Sequence, residues 1–393
     1  MHERLHTWIE AKAPEAFALL ERLVGMNTWS WSADGLTASA EALAEAFAPL
    51  GATTIEPIPP ITTVTDDGTV SESSLGPAVR VKAEGAGPRV MLVGHHDTVF
   101  SPDVAFAWND EGDRITGPGV ADAKGGLVQL WLALGALAAT GVARSWELLI
   151  VPDEEIGSLG SATIIAATAA RAEVGFGFEP SFPDGTLAAA RAGSANYTFL
   201  VTGRSAHAGR EHHLGRNALT ATARLALGLE QLTDRPRILS NPAVVHGGRA
   251  PNIVPDTAVL RANVRVVDLD AAEEVERRVA ELCDDVAALD GISVERHGGF
   301  TRPPKPRTDS YLALLDGAVA RARELGMAVS YSDTGGVCDG NLMAAAGLDN
   351  IDNLGPVGGN LHQVGEYLER QSLIPRAVLA ASLIAEPPGG HAR

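Results

Sequence analysis

Four clusters of acidic and imidazole side chains stand out in this 393-residue chain. They are His95-His96-Asp97, Asp122 within a Gly-rich turn, Asp153-Glu154-Glu155, and Glu179 before Pro180. Taken singly, each has an ordinary reading as a loop histidine, a turn residue or a solvated acidic run. Their joint placement is different, because each follows a buried-strand pattern or a Gly-rich turn, so all would meet at one edge of one sheet. Imidazole nitrogen and carboxylate oxygen are the donors that Zn²⁺, Mn²⁺ and Co²⁺ accept. Carboxylates gathered so closely repel one another unless a cation sits among them. The chemistry these residues could do is therefore that of a metal site.

The elements that must position them are legible as α/β alternation. Arg89–Gly94 reads as a strand buried on both faces and ends at His95. The turn Gly117–Gly126 leads into an apolar helix over Leu127–Leu137. Trp146–Val151 is a second buried strand running into Asp153, and an Ala-rich helix near Ala162–Arg171 precedes the short strand Val174–Phe178 and Glu179. This order predicts a mostly parallel sheet flanked by helices, with polar residues at strand C-termini, where open α/β sheets place ligands. Apolar residues at helical spacing from Ala13 to Leu50 predict two helices first, with Pro14 tolerated only near an opening turn.

The pattern changes near Gly193. Asn196–Thr202 and Ala258–Val267 alternate as half-buried strands, while Arg216–Leu232 and Ala271–Leu289 are helical. Residues 193–304 are accordingly expected to form an inserted α+β unit, with 1–192 and 305–393 making the first domain. Thr301–Pro306 suits a linker back, followed by a helix over Ser310–Leu325. Two domains fit a length beyond the roughly 250–300 residues that one core usually serves.

Composition narrows the partners. A formal net charge of −18 disfavours a sequence-independent grip on nucleic acid or an acidic membrane surface. No run of the roughly 18 or more apolar residues that a transmembrane helix needs occurs in the sequence. Met1–His6 lacks the basic and then apolar character of a secretory signal, so a cytoplasmic location is expected. Cys283 and Cys338 are the only cysteines, far apart and in no metal-binding spacing, and are expected to be plain thiols.

The motifs Gly94-His95-His96-Asp97-Thr98-Val99, Gly117-Pro118-Gly119-Val120-Ala121-Asp122-Ala123-Lys124-Gly125-Gly126, Asp153-Glu154-Glu155-Ile156-Gly157-Ser158, Phe178-Glu179-Pro180 and Gly358-Gly359-Asn360-Leu361-His362 together resemble the M20 metallopeptidases. That family includes folate-cleaving glutamate carboxypeptidases, acetylornithine deacetylases, succinyl-diaminopimelate desuccinylases and aminoacylases. The resemblance spans nearly the whole chain and is nearest overall to the carboxypeptidase-type branch; Glu179 matches the carboxypeptidase and aminoacylase branches, where acetylornithine deacetylases usually carry Asp. It implies a zinc-exopeptidase-like catalytic domain with an inserted ferredoxin-like lid and dimerisation domain. It also implies two divalent metal ions, zinc first, with manganese or cobalt as alternatives.

Carried over residue by residue, the resemblance implies that His95 and Glu179 hold one metal, Glu155 and His362 the other, and Asp122 bridges them. Glu154 matches the general base. The His-x-Asp spacing would let Asp97 accept the second imidazole N–H of His95 and fix the ring. His207, in Gly203-Arg204-Ser205-Ala206-His207-Ala208-Gly209, matches an oxyanion donor reaching a partner subunit, so a homodimer is implied. Asn252 and Arg265 match positions that grip a substrate carboxylate, and Gly335 and Gly336 would shape the pocket. The implied activity is hydrolysis of an amide next to a free carboxylate in a small substrate, peptide or N-acyl amino acid. Deacylation of N-acyl amino acids is the alternative, and a binding protein without turnover is a remoter one.

Three departures mark this chain. Cys338 stands where many relatives carry Ser or Thr, and Asp333 precedes Thr334 where folate-cleaving relatives carry a basic residue, which argues against simple glutamate specificity. After His362 the chain reads Gln363-Val364-Gly365-Glu366, with half of a common acidic pair missing, so the support behind His362 is expected to differ from that behind His95.

Overall fold

The computed structural model describes residues 1–104 and 107–389. Six strands form the central sheet, in the order Ala52–Glu56, Ala78–Ala83, Arg144–Val151, Ala86–His95, Val174–Gly177 and Asn350–Ile351. The first two pairings are antiparallel and the remaining three parallel. Alternation within the two middle strands explains why both read as continuous apolar runs. Val90, Leu92, Leu148 and Ile150 join the core that includes Leu127 and Leu130 of the helix Lys124–Thr140. Met91, Val93, Leu149 and Val151 pack on the other face with Ile165 and Ala169 of the helix Ala162–Ala169. Each buried Val, Leu, Ile or Met side chain here contributes about 1.5–3 kcal/mol by leaving water, which pins the register of the strands that end at the candidate site.

The helix Lys124–Thr140 is buried over most of its length and lies between His2–Val24 and Leu373–Ala385. Gly141, left-handed at φ +73°, ends it by giving its N–H to the carbonyls of Leu137 and Ala138. The N-terminal helix begins earlier than the sequence pattern indicated, and Pro14 lies in its interior. Pro14 and Glu10, whose carbonyl loses its partner, are both exposed, so water can meet that carbonyl. The stripe Leu5, Ile9, Ala16, Leu20 and Val24 holds both halves of the helix on one core.

Residues 193–302 build a second, antiparallel sheet in the order Ile238–Gly247, Thr257–Val266, Gly193–Thr202, Ser293–Arg302. With the helices Ala218–Glu230 and Leu269–Ala287, the chain order is βαββαβ, the ferredoxin-like arrangement. It has its own core, including Tyr197, Phe199, Leu225, Leu260, Val264, Val275 and Val279. Sequence periodicity missed both edge strands, because their exposed, interrupted burial patterns carry no clean alternation. A hairpin of the first unit, Ile61–Val64 with Val70–Ser73, touches this sheet: Asp66 meets Arg261 at 2.6 Å and His246 at 3.3 Å.

The stretch 301–306 is not a solvated linker. Arg302 and Lys305 are each only 2% exposed. Lys305 Nζ donates to the carbonyl and side-chain oxygens of Asn350 and to Asp352, each at 2.9 Å. The prolines set its extended backbone, but buried charge pairing decides where it lies. No helix among the described residues is long and apolar enough to cross a membrane.

Candidate metal centre

Parallel pairing brings the site together. His95 is the last residue of its strand and pairs with Val151, so Glu154 and Glu155, in the short turn Glu154–Ile156, emerge level with it. Val93 pairs with Gly177, which places Glu179 at the same edge. Asp122 comes from the turn ahead of the helix Lys124–Thr140. His362 follows the strand Gly358–Gly359 with a left-handed backbone, φ +62°, a conformation uncommon outside glycine that re-aims its ring.

Asp122 joins two three-residue groups through different oxygens. Its Oδ1 is 3.2 Å from His95 Nε2, which is 3.6 Å from Glu179 Oε2. Its Oδ2 is 3.3 Å from His362 Nε2, which is 3.1 Å from Glu155 Oε2. Within each group the facing donor atoms lie within 4.8 Å of one another, close enough to hold a metal ion. Nitrogen and carboxylate donors in threes, with room beside them, suit an open divalent site better than a closed structural one.

The electrostatics fit a cation. Burial pushes Glu155 up to about 8, reinforced by the charge of Asp122. Burial likewise pushes Glu179 up to about 7, against the pull of His95. Hydrogen bonds to Asp122 and Glu155 raise His362 to about 11, and His95 is raised despite its burial, chiefly by the charge of Glu179. Burial and mutual repulsion thus favour proton uptake by these carboxylates, the same imbalance that a divalent ion would relieve.

Asp97 is the keystone of this edge. One oxygen lies 3.2 Å from His95 Nδ1 and accepts the Glu154 N–H at 3.0 Å. The other accepts the Glu155 N–H at 3.1 Å and the Ser30 hydroxyl at 2.8 Å. It therefore turns His95 Nε2 toward the cluster and ties down the backbone of the Glu-Glu pair. Glu366 does not support His362. Its carboxylate accepts the N–H groups of Gly119, Ala121 and Asp122, so the surviving acid of that tail braces the turn bearing Asp122.

A cleft of about 370 Å³ opens over these residues, lined by Asp122, Glu154, Glu155, Glu179 and His362, with Phe182, Arg191, Thr334, Gly336, Asn353 and Leu361 around them. A larger cavity, about 650 Å³, opens by the helix Asp309–Glu324, where Lys305 already has its partners. The carboxylates mark the smaller one as the candidate site. Sequence reasoning missed Arg191, whose only local signal is a charge at the end of the buried, Ala-rich strand Leu187–Arg191. Its guanidinium is committed to both oxygens of Asp352, to Asn353 and to the Gly336 carbonyl, so it frames the cleft. Cys338 lines the cleft but is buried, and burial raises its thiol well above the usual range, which leaves little thiolate.

Of the remaining sequence-derived residues, Gly336 lines the cleft, while His207, Asn252, Arg265 and Gly335 are not among the described residues that line it. His207 and Asn252 are both exposed on the inserted unit, where the Ala208 N–H donates to the Asn252 carbonyl. Arg265 donates to the Gly335 carbonyl at 3.0 Å, tying the insertion to the Gly335-Gly336 loop.

A mixed sheet with carboxylates and imidazoles at its carboxyl edge, and a ferredoxin-like insertion beside it, defines the scaffold of a metallohydrolase. The chain belongs to peptidase family M20/M25/M40, whose model matches residues 91–386. It is 30% identical to carboxypeptidase G2 of Pseudomonas sp. (strain RS-16) over 390 residues, covering 96% of this chain and 90% of that protein. A succinyl-diaminopimelate desuccinylase of Rhodospirillum centenum is 28% identical over 315 residues, covering 73% and 78%. Among solved structures, an M20 family metallo-carboxypeptidase from Sulfolobus solfataricus superposes with a TM-score of 0.72 at 17% identity, covering 94% of this chain and 98% of that one.

Proposed function

We propose that this protein hydrolyses an amide bond adjacent to a free carboxylate, as a carboxypeptidase-type exopeptidase. The observation that carries the reading is the pair of three-residue groups sharing Asp122, with Glu154 beside them in the cleft. His95 and Glu179 would hold one divalent ion, Glu155 and His362 the other, and Asp122 both. Bound there, two ions, zinc first and manganese or cobalt next, would polarise the scissile carbonyl and acidify the attacking water.

Glu154 takes the proton from that water and returns it to the departing amine. Asp97 keeps His95 and the Glu154-Glu155 backbone in place. Residues 193–304 act as a lid and dimerisation domain on the catalytic unit of 1–192 and 305–393. His207 of a second copy donates to the developing oxyanion, a role that only a homodimer fulfils. Asn252 and Arg265 bind the substrate carboxylate, for which the arginine fork is suited, and Gly335 and Gly336 let backbone approach it.

Deacylation of N-acyl amino acids is the second reading, favoured by the 28% identity to a desuccinylase. A panel of dipeptides, N-acetyl, N-succinyl and N-aroyl amino acids, assayed with metal-loaded protein, separates the two. Wild type should release free amino acid, and Glu154→Gln should lose about 10²–10⁴-fold in kcat while keeping its metals. Undiminished turnover by that variant would remove Glu154 from the role.

A further inference from the structure

The contacts of Arg302 carry a consequence for Glu154. Arg302 is the last residue of the strand Ser293–Arg302, an edge of the inserted sheet, yet its side chain is buried against the catalytic unit. Its Nη2 donates to Glu154 Oε1 at 2.9 Å and to the Glu154 carbonyl at 3.2 Å. Nη2 also meets Ser158 Oγ at 2.8 Å and Asp339 Oδ1 at 3.0 Å, while Nη1 donates to the Gly157 carbonyl at 2.8 Å. The turn is shaped to receive it. Gly157 is left-handed at φ +97°, and a Cβ there would meet Thr301 at 3.0 Å; Ser158, left-handed at φ +50°, points its hydroxyl to Asp339.

One guanidinium therefore grips the side chain and the backbone of the same glutamate, which removes much of the rotamer freedom an acidic residue at a cleft wall would keep. Neutralising Asp339 alone would not require contact with Glu154 Oε1 and with the Glu154 main-chain carbonyl. We propose that Arg302 is the positioning residue for Glu154, holding its carboxylate at the cleft from the inserted unit, so that the base is aligned only while that unit is seated. The proposal rests on Glu154 being the general base.

The test uses metal-loaded full-length protein and whichever substrate the panel identifies. Arg302→Met leaves Asp339 buried without its partner, so Arg302→Met/Asp339→Asn is compared with Asp339→Asn alone, and Arg302→Lys keeps the charge without the fork. In the double variant relative to Asp339→Asn, and in Arg302→Lys relative to wild type, kcat should fall about 10- to 100-fold, with KM within about twofold and both metals retained. Arg302→Lys should recover only part of the loss. Were kcat unchanged in Arg302→Lys, and in the double variant relative to Asp339→Asn, Arg302 would be a structural ion-pair partner and nothing more. Glu154→Gln separates the failures: if it is inert while the Arg302 variants are normal, only the positioning role falls, and if it turns over normally, the general-base reading falls with it.

Discussion

His95 and His207 show how differently two parts of one chain prepare a histidine. His95 is 1% exposed at a strand end, with Asp97 on one ring nitrogen and Asp122 near the other. His207 is exposed on a loop of the insertion, its Nδ1 accepting the N–H groups of Gly209 and Arg210, and it is not among the described residues that line the cleft. Parallel strands deliver their ends to a common edge, so the first environment assembles as soon as the sheet forms. The insertion has its own core and sheet, and the loop that carries His207 is not among the described segments lining the cleft. The proposed metal ligands are therefore brought together within one chain, whereas the role proposed for His207 calls on a second copy.

That contrast can be broken most severely at the shared ligand. Asp122→Ala should abolish turnover and reduce bound metal at both positions, measured by elemental analysis. Retention of both ions would remove Asp122 from the bridge. His207→Ala should lose about 10²–10³-fold in kcat with metal content intact, the scale of a lost oxyanion donor. Mixing it with Glu154→Gln should restore turnover if His207 serves a neighbouring subunit, because each mixed pair then contains one complete site. No recovery on mixing, in a preparation shown to exchange subunits, would return His207 to its own chain.

Glu366→Ala tests the bracing of the Asp122 turn. It should weaken metal binding by about 10-fold or more, as loss of a residue supporting a ligand does, and unchanged affinity would make Glu366 merely structural. The smallest effect concerns pH. Glu155 and Glu179, pushed up to about 8 and about 7 chiefly by burial, bind protons in the folded metal-free chain that the unfolded chain, near 4.5, has released. His362, raised to about 11, acts in the same direction once the unfolded histidine deprotonates near 6.5. Stability of the metal-free protein should thus fall as pH rises from about 4.5 to about 11, while the metal-loaded protein is spared. The gap in Tm between loaded and chelator-treated protein should widen across that window, and a constant gap would contradict it.

Much of the fold was legible beforehand. The buried strands ending at His95 and before Asp153, the helix after Asp122 and the change of character near Gly193 all follow from local apolar patterning. Less legible were the edge strands Ile238–Gly247 and Ser293–Arg302, whose burial is too irregular for a period-two signal. The N-terminal helix ran past Pro14 because its apolar stripe outweighed one missing hydrogen bond.

By itself, the sequence determined which side chains stand at strand ends and in the Gly-rich turn, since a strand's periodicity marks where it stops and residue type is given outright. Tertiary structure alone decided what those side chains lean on. Glu366 braces the Asp122 turn from 244 residues away, Arg302 reaches Glu154 across 148, and Arg191 is consumed by Asp352 across 161. A buried charge must find its counter-charge wherever the chain's packing places one, and no local pattern records that choice.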